Sequence, residues 1–260
     1  MIALITGASS GIGRAMACGF AKRGFNLIIV ARRVERLVEL KREVVEKYGV
    51  KVRIFCHDLS QPDECKKLFE EVNRVNVDVL VNSAGFGVFG EFDETDLDEE
   101  LKMIDVNIKA VHILTKLFLK KFKERNSGFI LNVASIAGFM AGPKFSSYYA
   151  SKSYVLQLTK AIHEELRYVK SNVYIGALCP GPVKTEFNQV AGAEFAVSGT
   201  TDVEVAEYAI EKMFDGQMII IPTATAKLLK VASKVVPTNI MLAATGAVQR
   251  SREVIKENNE

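Results

Sequence analysis

The chain has 260 residues, of which 48% are hydrophobic and 25% charged, with a formal net charge of +3. These are the proportions of an ordinary globular protein, and so small a charge argues against nucleic-acid binding. No apolar run reaches the roughly 18 residues of a membrane span. The four cysteines are scattered without C-x-x-C spacing, which favours reduced thiols. Because an apolar run begins at the second residue, we expect no signal peptide and a cytoplasmic protein.

The first informative segment is Thr6–Gly13, T-G-A-S-S-G-I-G, between an apolar run at Ile2–Ile5 and a helical pattern over Ile12–Gly24. Its three glycines allow a sharp turn and close approach to a bound group. The N–H groups at the start of the helix suit a pyrophosphate. The spacing G-x-x-x-G-x-G is neither the commoner G-x-G-x-x-G nor a P-loop. The segment alone therefore indicates either a dinucleotide site or a tight turn without a ligand.

Apolar runs then alternate with helical patterns along the whole chain. A helical pattern covers Arg32–Tyr48, and another is predicted to begin with Ser60 as N-cap, followed by Pro62 and Asp63 in a capping-box-like arrangement. Apolar strands without polar alternation are typical of a parallel sheet covered by helices on both faces, so we predict one doubly wound α/β domain. The further predicted strands are Asn26–Ala31, Lys51–Cys56, Val77–Val81, Gly128–Val133, Val173–Leu178 and Met218–Ile221.

Two helical regions follow the fourth strand. Leu97–Lys123 contains one long or two short helical patterns, and Ser146–Lys170 is predicted as a single helix. The apolar stripe of the second helix consists of Val155, Leu158, Ile162, Leu166 and Val169.

The end of the second strand carries the sequence Ala31-Arg32-Arg33, where an NAD site would need an acidic acceptor. Two guanidinium groups suit the 2′-phosphate of NADP instead. The alternative is a solvated basic helix start in which Glu35 pairs with either arginine. Arg14 adds positive charge near the phosphates or lies on the surface. Asp58, which with Leu59 follows the third strand, is either an acceptor for the adenine amino group or an ordinary loop residue.

Proton transfer to a carbonyl needs an acid near the forming alkoxide. Tyr148 and Lys152 lie one helical turn apart, and an ammonium beside a phenol is expected to lower the pKa of that phenol. Tyr149 is also within reach of Lys152, so spacing alone does not choose between the two tyrosines. Ser135, which follows the fifth strand, is a candidate donor to the substrate oxygen. A purely structural Tyr/Lys pair is the alternative on this information.

Taken together, the motifs resemble those of the short-chain dehydrogenase/reductase family over nearly the whole chain. The resemblance implies a single-domain Rossmann-type fold of about seven parallel strands in the order 3-2-1-4-5-6-7. It selects Tyr148 over Tyr149, because Tyr148 begins the Y-x-x-x-K pattern. The matching motifs are Thr6–Gly13, Asp58-Leu59, N-S-A-G at Asn82–Gly85, Asn107, Ser135, Tyr148–Lys152 and P-G-x-x-x-T at Pro180–Thr185.

The same resemblance implies the catalytic roles. Tyr148 is expected to act as acid and base, Ser135 to position the carbonyl, and Lys152 to lower the tyrosine pKa and bind the nicotinamide ribose. Asn107 is expected to hold a water connected to Lys152. Ser83 stands where the family commonly has asparagine, which puts one sheet-linking hydrogen bond in doubt. The implied NADP(H) site comprises Gly7, Ser9, Ser10, Gly11, Ile12, Gly13, Arg32, Arg33, Asp58, Leu59, Asn82, Ala84, Gly85, Tyr148, Lys152, Pro180, Gly181, Val183 and Thr185.

Aromatic and other apolar residues follow two of these motifs, so we hypothesise a bulky, apolar carbonyl substrate; core packing is the alternative. No metal site is expected, because His57, His112 and His163 lack ligand spacing. The seven carboxylates of Glu91–Glu100 are interpreted as a solvated loop and helix start. The apolar candidates are Phe86, Phe89, Phe92, Phe139, Met140 and Phe145.

The last part of the chain gives weaker signals. Residues 186–199 resemble the mobile substrate lid of the family. We expect a catalytic domain over residues 1–222 and a helical extension of the same domain over 223–260, similar to that of a bacterial subgroup of general short-chain dehydrogenases. This extension contains Lys227, Lys230 and Lys234 and then the run Ile240–Val248. Its expected roles, in order, are subunit contact, a wall over the substrate site, and weak association with a membrane surface.

These observations predict an NADP(H)-dependent oxidoreductase that interconverts a ketone or aldehyde and an alcohol. Reduction is the expected direction, because the cellular NADP pool is usually kept reduced. The substrate stays undecided between 3-oxoacyl groups, steroid-like ketones and small foreign carbonyls. The alternatives are a catalytically silent NADP-binding regulator and a sugar-nucleotide epimerase, for whose substrate domain the chain is too short. Family resemblance implies a homodimer or homotetramer formed through the helices that carry Asn107 and Tyr148.

Overall fold

The computed structural model describes residues 1–187, 191–192 and 200–257, with side chains to residue 250. Its strands form one parallel sheet in the order β3-β2-β1-β4-β5-β6-β7. The predicted Rossmann-type fold and strand order are therefore confirmed. The strands are β1 Ile2–Thr6, β2 Asn26–Ala31, β3 Val52–Cys56, β4 Val79–Asn82, β5 Gly128–Val133, β6 Val173–Leu178 and β7 Ile219–Ile220.

Helices cover both faces of the sheet. On one face α1, α2 and α7 share a core with the sheet, and on the other α3, α5 and α6 do so. The helices are α1 Gly11–Lys22, α2 Val34–Tyr48, α3 Pro62–Val72, α4 Leu97–Ile104, α5 Val111–Glu124, α6 Ser146–Tyr168, α7 Asp202–Phe214, α8 Ala224–Val235 and α9 Thr238–Glu257.

The first strand illustrates why the chain adopts this arrangement. Successive side chains of a strand point to opposite faces. Ala3 and Ile5 therefore pack with the α1 side of the sheet, whereas Leu4 packs with the α5 side, and all three are fully buried. Complete burial of a Leu or Ile side chain stabilises the fold by about 1.5–3 kcal/mol. Because both faces of β1 are buried, polar residues at alternate positions would destabilise the strand. This explains its continuous apolar sequence.

Two local predictions were wrong. Gln61, not Ser60, is the N-cap of α3, and it makes no side-chain capping bond; the Ser60 N–H instead bonds the Asp58 carboxylate at 3.1 Å. Val169 follows the end of α6 and is 57% exposed, so it does not extend the buried stripe. Of the two alternatives for Leu97–Lys123, the structure shows two helices, joined by a π-helical turn at Asp105–Ala110 that the sequence did not predict.

The C-terminal helix α9 packs beside α6 and the loop that precedes it. From α9, Thr245 Oγ1 donates to the Ala141 carbonyl at 3.2 Å, and Gln249 Nε2 donates to the Tyr149 hydroxyl at 3.0 Å. The outer face of α8 exposes Leu228 and Val235. Among the described residues no helix is both long and apolar enough to cross a bilayer. Most of the predicted lid, residues 188–190 and 193–199, lies outside the described residues.

Candidate active site

The turn between β1 and α1 requires glycine at several positions. Gly7 and Gly11 have φ values of +66° and +51°, a region that L side chains rarely adopt. A Cβ on Gly7 would lie 2.7 Å from the Ala84 Cα, and one on Gly13 would collide with the Gly7 carbonyl. Thr6 ties this turn to the end of β4, because its hydroxyl accepts from the Ala84 N–H at 3.1 Å. The turn is thereby held at the carboxyl edge of the sheet.

The N-terminus of α1 opens into a cleft at this edge. Its N-cap residue, Ser10, is extended and makes no side-chain capping bond, and the first turn carries no acidic residue. The first N–H groups of the helix and its partial positive charge are thus directed at the cleft without competition from a carboxylate. Such an arrangement suits a phosphate-bearing ligand.

The two arginines after β2 have different surroundings. Arg33 donates from Nε and Nη2 to the Ser9 hydroxyl at 3.3 and 3.1 Å, and from Nη2 to the Ser10 hydroxyl at 2.8 Å. Its Nη1 pairs with Glu186 at 2.9 Å, so Glu186 and not Glu35 is its acidic partner. Within the part of the chain that the structure describes, the Arg32 guanidinium makes no ion pair. Both arginines line the cleft.

Arg14 and Asn82 lie away from the cleft. Arg14 forms an ion pair with Glu43 on α2, so its charge is directed away from the glycine turn. The Asn82 amide donates to Thr115 Oγ1 at 3.1 Å and to Asn132 Oδ1 at 2.9 Å, in a buried network that joins β4, β5 and α5. Contrary to expectation, its side chain does not line the cleft. Ser83, which stands where the family commonly has asparagine, put one sheet-linking hydrogen bond in doubt. The Asn82 network supplies bonds of that kind.

Asn107 sits in the π-helical turn and is fully buried. Its amide donates to the Phe86 carbonyl at 2.9 Å and to Ser151 Oγ at 3.0 Å, while its oxygen accepts from the Phe86 N–H at 3.1 Å. The side chain therefore lies behind the cleft lining and fixes the chain after Gly85 against α6. The π-helical turn that carries Asn107 is of a kind frequently found at functional sites.

Ser135 and Tyr148 meet at the carboxyl end of β5. The Ser135 hydroxyl accepts from the Ala137 N–H at 3.1 Å and so begins the 3-10 turn at Ile136–Phe139. Phe145 stacks on the Tyr148 ring with centroids 4.5 Å apart, and Phe187 covers the ring at 5.3 Å. This burial raises the pKa of Tyr148 above its usual value, while a hydrogen bond from Ser135 to the phenol oxygen partly offsets the effect.

Lys152 lies one turn further along α6. Its Nζ donates to the Val133 carbonyl at 2.9 Å and lies 5.7 Å from the centroid of the Tyr148 ring. Burial lowers the pKa of this lysine to about 8, because desolvation disfavours the ammonium. The net shift of the Tyr148 pKa is upward because burial dominates it, and the expected lowering by Lys152 stays a prediction.

Aromatic residues surround the space in front of Tyr148. Phe86, Phe89 and Phe145 line the cleft as expected. Phe92 is 66% exposed, and Phe139 packs in a separate core cluster. Neither of them lines the cleft, and Met140 does not line it either. Sequence reasoning missed Phe187 and Val88, whose only signal was their position close behind the P-G and N-S-A-G motifs.

These parts form one cleft of about 860 Å³. Ser135, Tyr148 and Lys152 line it together with the glycine turn and both arginines, whereas Asn107 and Asn82 do not. The other predicted cofactor residues that line it are Gly7, Ser9, Ser10, Gly11, Ile12, Gly13, Asp58, Leu59, Ala84, Gly85, Pro180, Gly181, Val183 and Thr185. Within the described ranges, no group of three potential metal ligands occurs.

The cleft has the features that a dinucleotide requires. The glycine turn leaves no side chain between the backbone and a ligand, the uncapped α1 N-terminus faces the cleft, and two guanidinium groups lie at its far end. A diphosphate would meet the N–H donors of the helix start, and a further phosphate would meet the two guanidinium groups, one of which is already paired with Glu186.

Comparison with known proteins agrees with this geometry. A family model described as short chain dehydrogenase matches residues 1–195. A very-long-chain 3-oxoacyl-CoA reductase of Anas platyrhynchos is 32% identical over 198 residues, which are 74% of this chain and 63% of that relative. The match thus spans less than two thirds of that relative's length.

Solved structures resemble the whole fold. A short-chain dehydrogenase from Sphingobium yanoikuyae in complex with NADPH has a TM-score of 0.82 and 28% identity, covering 90% of this chain and 92% of its own. An alcohol dehydrogenase from Comamonas testosteroni, described as specific for bulky-bulky ketones, has a TM-score of 0.77 and 27% identity, with coverage of 90% and 92%.

Proposed function

The chain belongs to the short-chain dehydrogenase family, and from this premise we propose that it is an NADP(H)-dependent oxidoreductase that reduces a ketone or aldehyde to an alcohol. The observation that carries the proposal is the meeting of Ser135, Tyr148 and Lys152 in the cleft that the glycine turn also lines. Neither a tight turn without a ligand nor a structural Tyr/Lys pair accounts for that convergence.

Reduction adds a hydride to the carbonyl carbon and a proton to the carbonyl oxygen. Held by the glycine turn and the two arginines, NADPH would supply this hydride and would be oxidised to NADP⁺. Tyr148 supplies the proton from its hydroxyl, and the Ser135 hydroxyl donates a hydrogen bond to the same substrate oxygen as negative charge develops there. The raised pKa keeps Tyr148 protonated near neutral pH, which is the form that reduction needs. Alcohol oxidation would instead need the phenolate, which burial disfavours.

After the transfer, Tyr148 is a buried phenolate that must regain a proton. Lys152 is placed to assist, because its ammonium lies over the Tyr148 ring and burial brings its pKa to about 8. A group with a pKa near ambient pH exchanges protons readily in both directions. Asn107 supports this pair indirectly by fixing Ser151 and the chain after Gly85.

Support for NADP(H) over NAD(H) comes from the charge at the end of β2. Arg32 and Arg33 line the cleft, and Ala31 stands where an acidic acceptor for a ribose hydroxyl would be expected. The similar Sphingobium yanoikuyae enzyme was solved with NADPH, which supports the same assignment. We expect the double variant Arg32→Ala, Arg33→Ala to lose NADPH affinity far more than NADH affinity in direct binding titrations. Equal loss of both cofactors would overturn the cofactor assignment.

The substrate we propose is a bulky, apolar carbonyl compound. Phe86, Phe89, Phe145 and Phe187 line the end of the cleft next to Tyr148. The names of two similar proteins support this class: one reduces very-long-chain 3-oxoacyl-CoA and the other is specific for bulky ketones. A panel of small aliphatic, bulky aromatic, steroid and 3-oxoacyl carbonyl compounds, followed by NADPH absorbance, tests it. Preference for the small compounds would contradict the proposed substrate, and NADPH binding without any turnover would favour a silent regulator.

We further propose a homodimer or homotetramer built through α5, α6 and the π-helical turn. The segment of α6 next to the turn exposes Tyr154, whose hydroxyl contacts His112 of α5 at 2.7 Å. Such a partly apolar surface suits a self-complementary contact. The helices at residues 224–257 are proposed to be an extension of the same domain. Light scattering that gives only the monomer mass would refute the assembly.

A further inference from the structure

Glu186 occupies a position that the proposed reaction does not explain. It follows Thr185 of the P-G-x-x-x-T motif, and its carboxylate reaches across the cleft to α2. One oxygen pairs with Arg33 at 2.9 Å and the other pairs with Arg36 at 3.5 Å. A carboxylate therefore lies against one of the two guanidinium groups that we assign to the 2′-phosphate.

The contacts of Arg33 leave little room for a second anion. Its Nε and Nη2 face the Ser9 and Ser10 hydroxyls of the glycine turn, and its Nη1 faces Glu186. A guanidinium offers five N–H donors in a fixed fork. A phosphate that binds Arg33 through two parallel hydrogen bonds would have to use Nη1, which is already paired with Glu186. With both anions next to the same guanidinium, the phosphate and the carboxylate would repel each other.

The pair is also placed to open readily. The Arg33 and Glu186 side chains are 46% and 36% exposed, and ion pairs at such surfaces stabilise a protein only weakly. A phosphate dianion carries more charge than a carboxylate and forms stronger hydrogen bonds with arginine. The phosphate can therefore displace Glu186 from Arg33. Breaking the Arg33–Glu186 pair nevertheless costs free energy, which reduces the net affinity for the phosphate.

We propose that Glu186 is a specificity-determining residue, which competes with the 2′-phosphate of NADP(H) for Arg33 and thereby limits the preference of the protein for NADPH over NADH. This inference rests on the proposed function, because it takes NADP(H) as the cofactor. NADH has no 2′-phosphate and leaves the Arg33–Glu186 pair intact, so its affinity is insensitive to the competition.

The test is direct binding of NADPH and NADH to wild-type protein and to Glu186→Gln. Cofactor fluorescence is suitable, because the chain contains no tryptophan. We expect the variant to bind NADPH about three- to fivefold more tightly, the effect of removing a competing surface ion pair, and to bind NADH as before. The gain should shrink at high salt, where exposed charges are screened. Weaker or unchanged binding of NADPH, or a similar gain for NADH, would overturn the proposal.

Two controls separate the possible failures. Glu35→Gln removes the same charge from the first turn of α2, where Glu35 makes no ion pair with Arg33, and should change NADPH affinity less than Glu186→Gln does. In an Arg33→Ala background, Glu186→Gln should give little or no further gain, because the pair is already broken. A wild-type protein without preference for NADPH would contradict the proposed cofactor, whereas a preference that Glu186→Gln leaves unaltered contradicts only the competition.

Discussion

Burial of the Lys152 ammonium predicts how the free energy of unfolding depends on pH. Burial lowers its pKa from 10.5 to about 8. Between these values the unfolded chain binds a proton that the folded chain has released, so stability rises with pH across this window. At about pH 7 both states carry the charge, and the folded state bears a penalty of about 3 kcal/mol, since each tenfold change in proton affinity corresponds to 1.36 kcal/mol.

Lys152→Met removes this charge and its penalty. It also removes the hydrogen bond to the Val133 carbonyl, which costs stability at every pH. The difference in unfolding free energy between variant and wild type should therefore fall by about 2–3 kcal/mol from about pH 7 to about pH 10. Urea unfolding followed by circular dichroism at the two pH values measures it.

A matched control is Lys160→Met on the same helix, whose ammonium bonds Gln157 at the surface at 2.9 Å. Its difference from wild type should be similar at the two pH values. If the Lys152→Met difference is also the same at both, Lys152 does not bear a desolvation penalty, and its proposed role as a proton-exchanging group fails.

Three further variants probe the architecture around the site. Asn82→Ala removes the buried amide that donates to Thr115 and Asn132, so the free energy of unfolding in urea should fall by about 1–3 kcal/mol, and an unchanged value would contradict the network. Ser135→Ala should lower kcat for ketone reduction about 10²–10³-fold, because the substrate oxygen loses a hydrogen-bond donor. A change in KM with an unchanged kcat would contradict that role. Gly13→Ala places a Cβ against the Gly7 carbonyl, so NADPH titration should reveal weakened or lost binding, and wild-type affinity would refute the close packing of the turn.

The sheet was predictable because its inner strands are buried on both faces and therefore read as continuous apolar runs, whereas the edge strand β3 exposes Arg53 and Cys56. Gly7 and Gly11 were predictable for a related reason, since their left-handed backbone excludes most other residues. Helix ends were harder, because they depend on local hydrogen bonds. The Asp58 carboxylate accepts a hydrogen bond from the Ser60 N–H, and Gln61 is the N-cap of α3. Likewise, no periodicity in Leu97–Lys123 marks the π-helical turn that carries Asn107.

Motifs identified the reactive residues but not their surroundings. The Y-x-x-x-K motif selected Tyr148 and Lys152, yet the direction of the tyrosine pKa shift depends on burial of the phenol, to which Phe145 and Phe187 contribute. Asn82 belongs to a family motif, but its neighbours in space, rather than in sequence, direct it into the sheet network. The pairing of Arg33 with Glu186 joins residues 153 positions apart, which no local pattern predicts. The cytoplasmic location stays a prediction.

The central claim is that the Tyr148 hydroxyl delivers the proton to the substrate oxygen. The most direct test is NADPH-dependent ketone reduction by Tyr148→Phe, compared with Tyr149→Phe and with NADPH affinity measured in both. We predict that Tyr148→Phe abolishes turnover with near-normal NADPH binding, whereas Tyr149→Phe, which loses the hydrogen bond from Gln249, retains substantial activity. Turnover preserved in Tyr148→Phe would contradict the account.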